Sequence, residues 1–154
     1  MKIVGIIGGS SVNREIYEIA YRMGTLIGER GYVLVNGGLG GVMEASAKGA
    51  NEAGGLVVGI LPGHSRSSAN NWVKIPIITG MSHARNVIIA QTADILIAID
   101  GSVGTQSEIA FGHIYRKEII GIKCNLPLPF KEVATPEEAI DIVDDFFKGV
   151  EGLF

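Results

Sequence analysis

The chain has 154 residues, of which 47% are hydrophobic and 19% are charged, a balance that excludes a disordered chain and predicts one domain over residues 1–154. A formal net charge of −3 argues against a protein that binds nucleic acid through a basic face. The single cysteine excludes a disulfide framework and a cysteine-built zinc site. Because no apolar run is long enough to span a membrane or act as a signal peptide, we expect a cytoplasmic protein without membrane contact.

Short apolar runs alternate with helical patterns along the whole chain. The runs are mostly continuous in Val, Ile and Leu, which is typical of parallel strands covered on both faces. In chain order we predict a strand at Lys2–Ile7, a helix at Asn13–Arg30, a strand at Tyr32–Asn36, a helix at Val42–Ala53, strands at Leu56–Leu61 and Val73–Ile78, a helix at Ser82–Thr92, a strand at Asp94–Ile99, a helix at Thr105–Lys117, a strand at Ile119–Ile122 and a helix at Pro136–Lys148. This alternation predicts an α/β fold with a Rossmann-like, doubly wound, mostly parallel sheet and helices on both faces.

Local signals mark three of these segments. Thr135-Pro136-Glu137-Glu138 is a capping box with proline at the first helical position, so the last helix should begin there. The helix Val42–Ala53 is rich in small residues, which predicts a close approach to the sheet or to a partner. Pro62–Asn71 is the least regular stretch, and we expect a polar loop able to close over a site.

Three glycine-rich clusters follow predicted strands where a helix is about to begin. In an open α/β sheet, ligands bind outside the carboxyl ends of the strands. Glycine lets the backbone approach a ligand, and helix amino ends attract anions. The sequence therefore predicts a phosphate-binding site built from Gly8, Gly9, Ser10, Ser11, Gly37, Gly38, Gly40, Gly41, Gly101, Ser102, Gly104 and Thr105. The alternative is that each glycine only makes a tight turn, and that Ser102 and Thr105 only cap a helix.

Common cofactor fingerprints are absent from the sequence. The first glycine cluster does not follow the G-x-G-x-x-G pattern, the second predicted strand ends in Asn36 rather than an acidic residue, and no P-loop occurs. The spacing of the three histidines, His64, His83 and His113, does not fit a metal site. No lysine lies in any of the glycine clusters, so the sequence gives no support for pyridoxal chemistry. We therefore expect no resident cofactor and no metal.

Four motifs occur in an order that resembles one superfamily of proteins. The motifs are Gly37–Ala45, Gly59–Gly63, Arg85-Asn86 and Gly101–Glu108. The pattern resembles the cytokinin-activating phosphoribohydrolases (the lonely guy, or "lysine decarboxylase-like", proteins) and the molybdenum cofactor carrier proteins, and distantly DNA-processing protein A. The length and the Arg85-Asn86 pair resemble the carrier-like branch more closely. The enzyme signature of the superfamily is P-G-G-x-G-T-x-x-E, from which this sequence departs at Asp100 and Ser102.

The resemblance implies two functions from different classes. As an enzyme, the protein would hydrolyse a nucleoside 5′-monophosphate to base and ribose 5-phosphate, with Glu108 and Arg85 as catalytic residues. As a carrier, it would bind a phosphorylated cofactor such as the molybdenum cofactor without turnover, and the sequence leaves open whether the protein is an enzyme. For Glu108 an alternative is purely structural, because Thr105-x-x-Glu108 has the spacing of a capping box. The resemblance also implies a homodimer or higher homo-oligomer, as do the apolar faces of Val42–Ala53 and Val87–Ala90.

Overall fold

The computed structural model describes residues 1–151, which form a sheet of seven strands and five α-helices. The strands are β1 (Ile3–Gly8), β2 (Val33–Asn36), β3 (Val57–Leu61), β4 (Ile75–Ile78), β5 (Ile95–Ile99), β6 (Glu118–Ile122) and β7 (Lys131–Val133). The helices are α1 (Arg14–Glu29), α2 (Val42–Glu52), α3 (Asn86–Thr92), α4 (Val103–Ile114) and α5 (Pro136–Glu151). Two single turns of 3-10 helix lie at Arg66–Ser68 and Ser82–Arg85.

The sheet is entirely parallel, and its strands lie in the order β4-β3-β2-β1-β5-β6-β7. Helices α1, α2 and α5 pack on one face, whereas α3 and α4 pack on the other. The predicted Rossmann-like α/β fold is confirmed. The chain proceeds from β1 toward one edge and then returns to place β5 on the other side of β1, so the topological switch point lies between β1 and β5.

The six predicted strands and five predicted helices are present, with three differences that have physical causes. The predicted helix Ser82–Thr92 is a 3-10 turn followed by α3, and Ser82 at its start has a positive φ of 54°. The helix predicted at Thr105–Lys117 begins at Val103, because Ser102 is its N-cap, and ends at Ile114, just before Arg116 takes a positive φ of 57°. Strand β7 was not predicted, because its three residues are charged or half-exposed and lack the apolar signal of the inner strands.

The capping box at the start of α5 is confirmed. The backbone N–H of Glu138 donates to Thr135 Oγ1 at 3.2 Å, and Glu138 Oε2 accepts from the backbone N–H of Ala134 at 3.1 Å. The first bond satisfies a donor that the first turn of a helix leaves without an intrahelical partner, and the second ties the Glu138 side chain back to the residue that precedes the N-cap.

Helices α1 and α2 pack with their backbones almost in contact. A Cβ on Gly24 of α1 would lie 2.0 Å from the carbonyl oxygen of Ser46, and a Cβ on Gly49 of α2 would lie 2.1 Å from that of Tyr21. The small residues of α2 are therefore explained within one chain, since α1 covers one side of the helix and the sheet covers the other. Among residues 1–151, none of the helices has the length and apolar character that a membrane span requires.

Candidate functional site

A cavity of about 160 Å³ lies at the switch point, at the carboxyl ends of β1 and β5. Apolar side chains contribute to its surface beside a group of polar and charged residues. The lining consists of Ile6, Ile7, Gly8, Ser10, Leu39, Met43, His83, Arg85, Asn86, Ser102, Gly104, Thr105 and Glu108. Its volume is below the ~300–1,000 Å³ of a typical ligand pocket, so it has room for part of a nucleotide-sized molecule.

Arg85 is a buried cation with neutral partners. It ends the 3-10 turn before α3 and is 6% exposed. Its Nε donates to the carbonyl oxygen of Ile60 at 2.8 Å, its Nη2 to that of Gly37 at 3.4 Å, and its Nη1 to Asn86 Oδ1. None of the ion pairs formed within residues 1–151 involves Arg85. Burial lowers the pKa of Arg85 and nearby Glu108 opposes that change, but a guanidinium stays charged at any working pH.

Glu108 lines the same cavity from the second turn of α4 and is 8% exposed. Burial raises the pKa of its carboxyl to about 8, although the positive charge of Arg85 acts in the opposite direction. Among the hydrogen bonds within residues 1–151, none involves the Glu108 carboxyl group. At neutral pH this group is therefore mostly a neutral carboxylic acid, which can give a proton to a ligand.

The first turn of α4 brings hydroxyl groups to the cavity. Ser102 is the N-cap residue and its side chain makes no capping bond, while Thr105 is the third residue of the helix and is 1% exposed. The two hydroxyl oxygens lie 3.4 Å apart. Since Thr105 stands inside the helix, the capping-box alternative for Thr105 and Glu108 is wrong. The backbone N–H groups at this helix start have the orientation that favours an anion.

The predicted phosphate-binding residues divide into two groups. Gly8, Ser10, Ser102, Gly104 and Thr105 line the cavity together with Arg85 and Glu108. The others lie outside the lining, and their part in binding stays a prediction: Gly9, Ser11, Gly37, Gly38, Gly40, Gly41 and Gly101.

Close packing explains several of the glycines outside the lining. Gly41 has φ of +62°, and a Cβ there would lie 2.3 Å from the carbonyl oxygen of Gly9. A Cβ on Gly37 would lie 2.7 Å from Arg85 Nη2, and one on Gly101 would lie 2.7 Å from Leu126. These glycines therefore let the loops and Arg85 approach each other.

Two asparagines hold the loop between β2 and α2 in place. The Oδ1 of buried Asn36 accepts from the backbone N–H of Gly38 at 2.9 Å, and its Nδ2 donates to the carbonyl oxygen of Met43 at 2.9 Å. From the other side, Asn70 donates its backbone N–H to the carbonyl oxygen of Gly38 and its Nδ2 to that of Leu39, both at 2.9 Å. The polar segment 62–71, predicted as a loop able to close over the site, is thus tied to the glycine loop through Asn70.

The structure also brings in residues to which the sequence pattern gave no role. Asn86 is 2% exposed, and its Nδ2 donates to Ser107 Oγ at 3.1 Å. The Arg85-Asn86 pair was visible as a motif, but only the fold shows that the amide faces the guanidinium. The apolar walls from Leu39 and Met43 carry no sequence signal that distinguishes them from core residues. Of the three histidines, His83 alone lines the cavity.

Asp100 takes a backbone conformation that bears on the departure from the enzyme signature. It directly follows β5 and has φ of +59°. Proline has φ fixed near −65°, so the proline of the enzyme signature could not take this conformation. The turn between β5 and α4 is therefore built differently here.

The sequence model of the SLOG cluster4 family matches residues 1–146. The chain belongs to this family. It is 50% identical over 139 residues to an uncharacterized protein of Archaeoglobus fulgidus, with 90% of this chain and 91% of that protein covered. It is also 33% identical over 103 residues to a cytokinin riboside 5′-monophosphate phosphoribohydrolase of Mycobacterium tuberculosis, but this match covers 65% of the chain and 55% of the enzyme.

Solved structures with the same fold include molybdenum cofactor proteins. The molybdenum cofactor binding protein of Rippkaea orientalis has a TM-score of 0.90 and 30% identity, with 95% of this chain and 97% of that chain covered. The molybdenum cofactor carrier protein of Chlamydomonas reinhardtii has a TM-score of 0.87 and 29% identity, with coverages of 96% and 99%. DNA processing protein A of Helicobacter pylori, at 16% identity and a TM-score of 0.71 over 96% of this chain and 81% of that one, shares the fold.

Proposed function

We propose that the protein binds a nucleoside 5′-monophosphate or a similar phosphorylated small molecule in the cavity between β1 and β5. The observation that carries this proposal is Arg85, a buried guanidinium with neutral acceptors in a cavity that also receives the amino end of α4. A buried charge is costly without an opposite charge. A phosphate group would supply that charge and would accept hydrogen bonds from Ser102, Thr105 and the first N–H groups of α4.

Binding without turnover, as in a cofactor carrier, is supported by two observations. The likeness to the two molybdenum cofactor proteins extends over nearly the whole of each chain. In addition, Asp100 with its positive φ stands where the enzyme signature has proline. In this case the phosphorylated cofactor is cargo, held by its phosphate beside Arg85 while the remainder lies toward the opening of the cavity.

Hydrolysis of the N-glycosidic bond is the second candidate, and Glu108 is the observation that favours it. A carboxyl group that stays protonated at neutral pH can donate its proton to the departing base. The bond between C1′ and the base nitrogen would break as the proton of Glu108 passes to the base. Water would then add to C1′ and return a proton to the Glu108 carboxylate, and free base and ribose 5-phosphate would leave. Arg85 would hold the phosphate and so keep the ribose in place.

One experiment tests binding and separates the two candidates. The melting temperature is measured with adenosine 5′-monophosphate and with adenosine, and the same mixtures are analysed for released adenine by chromatography. We expect the monophosphate to raise the melting temperature and adenosine to raise it far less, because only the phosphate engages Arg85. Equal shifts from the two compounds contradict the phosphate role. Released adenine, abolished in Glu108→Gln, identifies a hydrolase, whereas binding without release identifies a carrier.

We also propose that the chain forms a homodimer or a higher homo-oligomer. In the register of the sheet, Ile75 and Ile77 of edge strand β4 pair with Val58 and Ile60, whose side chains pack on the α3 and α4 face. The two isoleucines are 46% and 42% exposed, so this face presents apolar surface of the kind found at interfaces. Sedimentation at micromolar concentration should show a species larger than 16.3 kDa, and a monomer alone would contradict the proposal.

A further inference from the structure

The charge of Arg85 stays available to a ligand because each of its hydrogen-bond partners is neutral. Glu108 lines the same cavity, but among residues 1–151 it forms no ion pair with Arg85. Two of its three acceptors are backbone carbonyl oxygens, from Ile60 and Gly37, which no substitution can charge. The third is the side chain of Asn86. Of these three contacts, the one at position 86 is therefore the one that a substitution can charge: an aspartate there would place a carboxylate against the guanidinium.

The orientation of the Asn86 amide is fixed by its partners. A guanidinium only donates hydrogen bonds, so Oδ1 of Asn86 has to face Arg85. Its Nδ2 then faces Ser107 Oγ at 3.1 Å and the carbonyl oxygen of Gly104 at 3.5 Å. Ser107 Oγ donates its own hydrogen to the Gly104 carbonyl oxygen at 2.6 Å, which leaves it free to accept from Asn86. The amide thus connects Arg85 to the start of α4.

We infer that Asn86 is a positioning residue that makes the cavity selective for anions, because it holds Arg85 in place without neutralising it. This inference rests on the proposed binding of a phosphorylated ligand. The amide oxygen of Asn86 accepts a hydrogen bond from Arg85 in the position where a carboxylate oxygen would also accept one. Unlike a carboxylate, the amide carries no charge, so the positive charge of the guanidinium remains for the ligand. Because Asn86 is 2% exposed, water would screen the interaction of a charge placed there much less than it would at the surface.

An aspartate at this position fits the same space and keeps the bond to Arg85. Its second oxygen would face Ser107, whose hydroxyl can turn to donate to it. The variant Asn86→Asp should therefore fold and form an ion pair with Arg85. The phosphate would then meet a pair of zero net charge with a carboxylate close by, and its affinity should fall.

The test measures the affinity of ribose 5-phosphate by calorimetry at pH 7, with ribose as the uncharged comparison. Three variants are compared with the wild type. Asn86→Asp adds the charge, Asn86→Ala removes the acceptor but leaves Arg85 charged, and Asn51→Asp adds the same charge at an exposed position at the far end of α2. We expect a loss of about tenfold or more in Asn86→Asp, a loss of about two- to fivefold in Asn86→Ala, and less than about twofold in Asn51→Asp.

Two results of this comparison would overturn the inference about Asn86. Equal losses in Asn86→Asp and Asn86→Ala would overturn the inference, since the residue would then only orient Arg85, and so would unchanged affinity in Asn86→Asp. If circular dichroism shows that Asn86→Asp does not fold, Asn86→Ala decides alone: affinity within about fivefold of the wild type supports the inference, and a larger loss overturns it. A wild-type protein that binds ribose 5-phosphate no better than ribose would overturn the proposed function itself.

Discussion

Replacing Glu108 by glutamine should change how the stability of the protein depends on pH. Glutamine has nearly the same shape as glutamic acid but cannot ionise, so the comparison isolates the proton on this buried carboxyl. In the folded protein the pKa of Glu108 is raised by burial to about 8, from an ordinary value of 4.5. The unfolded chain therefore releases this proton at a lower pH than the folded chain does.

The sign and size of the effect follow from that difference. Below pH 4.5 the group is protonated in both states and has no effect. As pH rises toward 8 the folded state still binds a proton that the unfolded state has lost, so stability falls, and above 8 the loss is complete. At about 1.4 kcal/mol per pKa unit, the whole loss is about 5 kcal/mol, a large share of the ~5–15 kcal/mol of a typical domain.

Urea unfolding of both proteins at pH 5, 6, 7, 8 and 9, in buffers without phosphate, measures the effect. We expect the free energy of unfolding of Glu108→Gln minus that of the wild type to rise by about 3–4 kcal/mol between pH 5 and 8 and then to level off. Glu29→Gln, which removes an exposed carboxyl at the end of α1, is the control and should show little change. A difference that stays constant from pH 5 to 9 would refute the assignment of a buried, protonated carboxyl.

Two further predictions concern the scaffold. Gly24→Ala should lower the free energy of unfolding by more than about 2 kcal/mol in a urea titration, because its Cβ would lie 2.0 Å from a backbone carbonyl oxygen and the helices would have to separate. Gly149→Ala is its control: Gly149 lies in helix α5, a Cβ there would meet nothing within 4 Å, and its φ is not positive, so this variant should lose no stability. A loss in Gly149→Ala as large as that in Gly24→Ala would contradict the role of the helix contact. Thr135→Ala should cost about 1 kcal/mol through loss of the cap of α5, measured in the same way, whereas Thr135→Ser should retain most of the stability; equal losses in both would contradict the capping role.

The sequence predicted the architecture well because the inner strands are continuous apolar runs and each is followed by a helical pattern. It failed at β7, where short length and charge remove that signal, and at the start of α4, where Thr105-x-x-Glu108 has the spacing of a cap but lies one turn inside the helix. The site was predictable as a place, since parallel strands end at one edge of the sheet. Which of the glycines line the cavity was not predictable, because Gly8, Gly37 and Gly41 all stand in tightly packed loops and only the three-dimensional fold shows that Gly8 also faces the cavity.

Because the cavity lies between β1 and β5, a bound ligand would contact both halves of the sheet at once. The residues that line the cavity come from both halves of the sheet: Gly8 ends β1 and Ser10 follows it, Ser102 and Thr105 follow β5, and Arg85 lies in the crossover that connects β4 to β5. A bound phosphate would therefore cross-link the two halves and the segment that joins them. Local opening of any one of these parts would then require release of the ligand. Amide hydrogens in β1, α3 and β5 should consequently slow their exchange with solvent together, by a common factor set by ligand concentration.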